Sequence, residues 1–448
     1  MQESRQECHT LIRAAIIVTQ DQDRRVIHDG FLAINPDEKG EGRIIAMGSE
    51  NEMAGWQAVK TLDYPAHMVL PGLVNAHAHC AMTLMRGYAD DLPLLDWLHE
   101  RIFPLEARLD PETAYLGSLL GQAEMLACGI STFMDMYLFE ESVLEAAELS
   151  GMRAIGGEVI FDSAGPASSG AAQSLEMTRE LARKYAGHPR IEAAVNPHSV
   201  YTTTPQILRQ CADLALELGL GLHMHVAESA AESALSLEKW GSRPLGLCES
   251  AGLLEARCIF AHMVDLSDDE LDTAARAGIG IAHCPSSNMK LASGIARVPD
   301  MLARGMNVGL GTDGAASNNS LNLFAEMARC ALLHKCAGSD PTHAPAQSVL
   351  DMASIGGARA MGRPWLGCLA PGHPADLAVL DMARPNLTPM HNPVSQAVYA
   401  ASGHEVVMTM VGGEILYDHG KFSRFDIGDI VREAGRAARL LTRRPGAC

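Results

Sequence analysis

A chain of 448 residues with 35 basic and 54 acidic side chains carries a formal charge of −19. That balance argues against nucleic acid and against an anionic membrane surface, since both are themselves negative. With 47% hydrophobic and 20% charged residues, large-scale disorder is excluded, and a core of this size needs no disulfides.

The opening, MQESRQECHTLIRAAIIV, has charges where a secretory leader needs its apolar stretch. No run approaches the ~18 apolar residues of a membrane span. The 11 cysteines stand singly, with no CxxC pair, which disfavours a disulfide framework and a cysteine zinc site alike. A cytoplasmic setting is expected. Over residues 11–70, the β-branched runs LIRAAIIVT, GFLAI and RIIAMG alternate with the turns DQDRR and PDEKGEG, so short strands are predicted.

The rhythm then changes. HMVLPGLVNAHAH, STFMDMYL, RAIGGEVIFD, IEAAVNPHS, GLGLHMHVAE, RCIFAHMV, GIGIAHCPSSN and MNVGLGTDG are eight strand-like runs. Helix-like stretches such as PQILRQCADLALEL and SDDELDTAARA separate them, which predicts an α/β chain built on a (β/α)8 barrel. AGPASSGAA, residues 164–172, is predicted to be a loop. Near the C-terminus, ADLAVLDM and VVMTMVGGEILYDHGKF return to the texture of the first segment. The expected division is a (β/α)8 barrel over 68–367, with a small β-sandwich built from 1–67 and 368–448. The second of these segments also carries a terminal helix.

In a parallel barrel the reacting residues come from the carboxyl ends of the strands. Here the first run ends in His77-Ala78-His79, and residues two apart on a strand point the same way. The fifth ends in His223-Met224-His225-Val226-Ala227-Glu228, the sixth in His262 and the eighth in Asp313. Each piece alone has an ordinary explanation, a core histidine or a helix-capping aspartate. Falling together at strand ends, three imidazoles and a carboxylate suit a divalent transition metal with room for a water. Spacing alone does not choose between His223 and His225. His283-Cys284-Pro285 has one cysteine only and lacks a PCxxC zinc signature.

PGLVNAHAH, NPHSVYT, HVAES, AHMVDLS, CPSSNMKLASGIARVP and VGLGTDGAASNNSLNLFAEM resemble the amidohydrolase superfamily across nearly the whole chain. Within it they are most similar to the 5'-methylthioadenosine/S-adenosylhomocysteine deaminases and their chlorohydrolase relatives. The resemblance implies one zinc held by His77, His79, His225 and Asp313, with His223 a layer deeper. Iron and manganese suit the same donors. No lysine ends the fourth run, where two-metal members carry a bridging carbamate.

The implied metal supplies a hydroxide near neutral pH. Asp313 and His262 orient the water and take its proton, and Glu228 protonates the purine ring nitrogen before ammonia leaves. His198 and Glu106 are matched to substrate contacts, Glu106 to the ribose hydroxyls. Trp97 and Met82, Leu84 and Met85 are candidates for an apolar wall, and Asp90-Asp91 for a turn.

The expected partner is a small nucleoside, and pairing into a homo-oligomer is common among such barrels. Members that accept S-adenosylhomocysteine hold its carboxylate with arginines in a part of the chain that here, over 156–173, has no Arg or Lys. Glu158 stands at one such position, where it is expected to repel a carboxylate. 5'-Methylthioadenosine is therefore preferred over S-adenosylhomocysteine, with adenosine and 5'-deoxyadenosine also in range. The alternative is a free purine base or an s-triazine.

Overall fold

The computed structural model of the chain describes residues 6–443. The first and last five residues, which carry part of the opening and the outer ends of both expected terminal segments, lie outside the described residues. Four strands come first: β1 (Gln6–Val18), β2 (Val26–Pro36), β3 (Gly42–Ser49) and β4 (Trp56–Pro71). The central series is β5 (Leu73–His79), β6 (Ile130–Asp135), β7 (Arg153–Gly156), β8 (Val159–Ile160) and β9 (Ile191–Pro197). It continues with β10 (Gly221–Val226), β11 (Cys258–His262), β12 (Gly280–His283), β13 (Val308–Leu310) and β14 (Asp313–Gly314). Last come β15 (Leu377–Asp381), β16 (Val406–Val411), β17 (Glu414–Asp418) and β18 (Lys421–Phe422), then a helix over Ile427–Thr442.

Both chain ends share one eight-stranded sheet, in the order β18-β17-β16-β15-β4-β1-β2-β3. It curls until its far edge meets its own return: Ile44 N donates to His373 O at 2.9 Å and Gly42 N to Gly412 O at 2.7 Å. Inside the curl, Ile12, Ile17, Leu32, Ile44, Val69, Leu377, Val379 and Met408 form an apolar core. This is the sandwich expected from the two ends.

The central strands form the barrel, with helices between them. Segments with strong end signals fold where expected. SDDELDTAARA gives a helix over Asp268–Ala277 because Ser267 and Glu270 form a reciprocal capping box. The ring closes through β5 and β14, where Asp313 lies opposite Ala78. Asn75 clamps that seam: its Oδ1 accepts from Thr312 N at 2.9 Å and its Nδ2 donates to Thr312 Oγ1 at 2.7 Å.

Three runs divide where the pattern reads them as single strands. HMVLPGLVNAHAH breaks at Gly72, which packs against Ser131 and leaves His67–Pro71 in the end sheet, paired with β15. RAIGGEVIFD splits into β7 and β8 at Gly157, where a Cβ would overlap the Ala194 carbonyl. MNVGLGTDG splits into β13 and β14, and Asp313 enters β14 with φ of 59°.

A buried ion cluster ties the end sheet to the barrel. Arg153 of β7 donates to both carboxylate oxygens of Asp376, at 2.7 and 3.0 Å, and to Glu41 at 2.8 Å. Arg190 reaches the other Glu41 oxygen at 2.7 Å, and Gly412 N donates to Asp376. No described helix is long and apolar enough to cross a membrane. All ten described cysteines are free.

Candidate active site

His77, His79, His225 and Asp313 meet at the carboxyl end of the barrel. Asp313 Oδ1 is 3.2 Å from His79 Nε2 and 3.5 Å from His77 Nε2, and the Nε2 atoms of His79 and His225 are 3.2 Å apart. Such separations match the ~3.3 Å edges of a tetrahedron with ~2.0–2.1 Å metal bonds. The other side of each ring is held. His225 Nδ1 donates to His198 O at 2.9 Å, and His79 Nδ1 to Met136 O. His77 Nδ1 donates to His223 Nε2 at 2.9 Å, so the deeper histidine fixes which nitrogen of His77 is free. That free atom, His77 Nε2, is buried and has no hydrogen-bond partner.

Charge in the cluster fits a cation. Burial keeps His77 neutral, down at about 4, and holds His225 well below its usual range, as ligand imidazoles require. Burial also raises Asp313, but the imidazoles of His77 and His79 outweigh it and hold the carboxylate well below its ordinary value. For His79, burial is outweighed in turn by Asp313, which takes the ring up to about 9. A proton on His79 thus stands where a metal would bring its charge. The donors present fit a divalent metal.

Glu228 and His262 flank this cluster, with Glu228 Oε2 3.9 Å from His262 Nε2. His262, at φ of 74°, donates from Nδ1 to Asn288 Oδ1 at 2.9 Å, which turns Nε2 toward the donors. Burial raises the Glu228 carboxyl above its usual range. Asn288 and the role of His223 escape sequence reasoning, although Asn288 stands inside the CPSSNMKL motif.

Above the cluster lies a cavity walled by Met82, Trp97, Phe103, Leu138, Phe161 and Tyr201, with Glu106, His198 and Glu228 on its lining. Of the apolar candidates, Trp97 and Met82 face the cavity. Leu84 and Met85 are buried in the core instead, because the turn Cys80–Met85 packs on the helix Pro111–Ala127. The aromatic wall of Phe103, Phe161 and Tyr201 carries no motif of its own in the sequence. Burial pushes the Glu106 carboxyl up, and a hydrogen bond from the Tyr137 hydroxyl offsets part of this. His198 is held neutral by burial, at about 3, with its Nδ1 2.8 Å from Thr202 Oγ1.

An outer vestibule continues from the cavity past Phe103 and Phe161 to His99 and the loop Ala164, Gly165 and Pro166, with no Arg or Lys on its lining. Glu158 is not there. Its carboxylate turns inward to accept from Phe139 N and Glu140 N at 3.3 and 2.9 Å, so the expected repulsion of a substrate carboxylate has no geometric basis. Asp90 of the predicted turn pairs with Lys290.

A barrel with an imidazole-rich donor cluster at its carboxyl end belongs to the class of metal-dependent barrel hydrolases. Residues 68–416 match the profile of the amidohydrolase family. The 5-methylthioadenosine/S-adenosylhomocysteine deaminase of Desulfovibrio desulfuricans is 53% identical over 98% of this chain and 99% of its own. Its namesake from Lawsonia intracellularis is 51% identical over 96% of each chain. A crystal structure of an adenosine deaminase from Xanthomonas campestris with bound zinc superposes with a TM-score of 0.94 at 33% identity, covering 98% of this chain and 99% of that one. The chain belongs to the amidohydrolase family.

Proposed function

We infer that this chain hydrolytically deaminates 5'-methylthioadenosine to the inosine analogue and ammonia, with one zinc per chain held by His77, His79, His225 and Asp313. Adenosine, 5'-deoxyadenosine and S-adenosylhomocysteine are secondary substrates. The observation that carries this reading is the placement of Glu228, His262 and Asp313 around the donor cluster, at the floor of an apolar cavity lined higher up by Glu106. When bound, zinc activates a water near neutral pH.

The residues of the chain do the rest. Asp313 and His262 accept the proton lost by the attacking water. Glu228, whose carboxyl burial raises above its usual range, gives a proton to the ring nitrogen beside the carbon that carries the amine. Without it the ring has nowhere to place the electron pair. Left as a carboxylate by that step, Glu228 takes up the second proton of the attacking water and passes it to the departing amine, and the proton held by Asp313 and His262 returns Glu228 to its starting state. His198, anchored through Nδ1, presents Nε2 to the base, and Glu106 accepts from the ribose hydroxyls.

The vestibule carries the acidic Asp162 and Glu106 and no Arg or Lys, which favours a neutral 5' group over one with a carboxylate. A charge-assisted pair to a carboxylate is worth ~1.5–3 kcal/mol, so its absence costs S-adenosylhomocysteine about tenfold or more. A free base or triazine would leave Glu106 buried beside an unfilled vestibule. The ten cysteines among the described residues, all free, accord with a cytoplasmic setting.

The test is kcat/KM on zinc-loaded enzyme, from the ultraviolet change of adenine to hypoxanthine. Methylthioadenosine should lead S-adenosylhomocysteine by tenfold. Parity of the two would overturn the substrate preference, and silence with every adenosine compound would overturn the nucleoside reading.

A further inference from the structure

Behind the reaction site, a second group of buried donors has no part in the chemistry above. His283 ends β12, while Cys330 and His334 lie one turn apart on the helix Leu323–Gly338. One ligand atom from each lies within 4.8 Å of the other two, and all three residues are buried. The Nε2 atoms of His283 and His334 face each other at 3.2 Å, while His283 Nδ1 is buried without a hydrogen-bond partner. Burial is the largest influence on all three: it lowers both rings and raises the thiol.

Two neutral imidazoles and a thiol are a soft donor set. The facing nitrogens already stand near the ~3.3 Å separation of two histidines on one tetrahedral zinc, with its ~2.0–2.1 Å bonds to nitrogen. Cys and His at i and i+4 of a helix face the same way, and the strand end supplies the third donor.

We propose that His283, Cys330 and His334 form a second metal site, for a soft divalent cation of the zinc type, distinct from the catalytic cluster. Binding releases one proton: the thiol loses its proton to solvent, and each imidazole keeps its proton on Nδ1. The metal would pin the end of β12 to the helix. His283 O accepts from Gly311 N at 2.9 Å, so the staple sits directly behind the segment that presents Asp313. This site does not rest on the reading of the reaction.

Cobalt(II) is the probe, added alone to the metal-free full chain. The catalytic donors are nitrogen and oxygen only, so a thiolate-to-cobalt charge-transfer band reports the second site specifically. The expected result is two cobalt ions per chain with that band. In Cys330→Ala the band should vanish, and in Cys330→Ala and His334→Gln alike one cobalt should remain with turnover retained. A single cobalt per wild-type chain without the band would show that the imidazoles are merely hydrogen-bonded to each other. A band that persists in Cys330→Ala would place the metal on another cysteine. Either result overturns the proposal, and the wild-type measurement alone is enough should a variant fail to fold.

Discussion

Two buried charged clusters in this molecule have opposite characters. Around Arg153, Glu41, Asp376 and Arg190, none of the side-chain atoms is a buried atom lacking a partner. Around the donors at the barrel mouth, His77 Nε2, His223 Nδ1, Asn288 Nδ2 and Glu232 Oε1 are all buried and unpartnered. The first cluster is complete in itself and joins two parts of the fold. In the second, His77 Nε2 is left open toward the facing donors, where a metal would complete it. What marks the reacting site is an unfilled nitrogen, His77 Nε2, among donors that face it, where the structural cluster has every ion paired.

The sharpest way to break this comparison is Glu228→Gln. The glutamine keeps the shape of the side chain and removes its transferable proton, so kcat should fall by ~10²–10⁴. Metal content, read by elemental analysis, should be unchanged; loss of metal would show Glu228 to be a ligand. At the other cluster, Arg153→Met leaves Asp376 and Glu41 short of their buried cation. Denaturant unfolding should show a loss of ~3–5 kcal/mol with kcat on the folded fraction retained. A neutral outcome would mean that the joint between sheet and barrel rests on apolar packing.

The sequence announced some of this plainly and hid the rest for physical reasons. His77 and His79 are legible because a strand puts alternate residues on one face, and the helix at Asp268–Ala277 because its caps are adjacent in sequence. The break at Gly72 is not legible, since VLP and LVN are equally apolar on both sides of it and serve two different sheets. Glu158 misled because its direction is set by amide groups 19 and 18 residues upstream, on the turn entering the helix Glu140–Ser150. His223 meets His77 across 146 residues, a contact that no local spacing encodes. What the pattern read well was donor type and strand-end position; what it missed was which neighbour holds each donor.

His223 itself tests the supporting layer. Replacing it with Leu removes the acceptor for His77 Nδ1–H and frees the ring to present the wrong nitrogen. Chelator competition should show metal affinity reduced by ~10–100-fold, the usual cost of losing such a support. His223→Gln, which retains an acceptor oxygen, should recover part of it. Equal affinity in all three proteins would make His223 plain core filling.

The smallest effect is expected at Glu232, whose carboxylate accepts from Glu228 N at 2.7 Å while its other oxygen is unpartnered. Burial, reinforced by the charge of Glu228, takes this carboxyl up to about 8. An unfolded glutamate titrates near ~4.3. Between these values the folded chain holds a proton that the unfolded chain has lost. The stability from this group is therefore full below about pH 4 and drains away as pH rises toward 8. Glu232→Gln is neutral at every pH and can still accept from Glu228 N. It should melt with the wild type near pH 4 and above it near pH 9. If the two melting curves instead stay parallel across that range, Glu232 is ionised in the folded protein. The unpartnered oxygen would then be solvated, and the contrast between the two clusters would narrow by one residue.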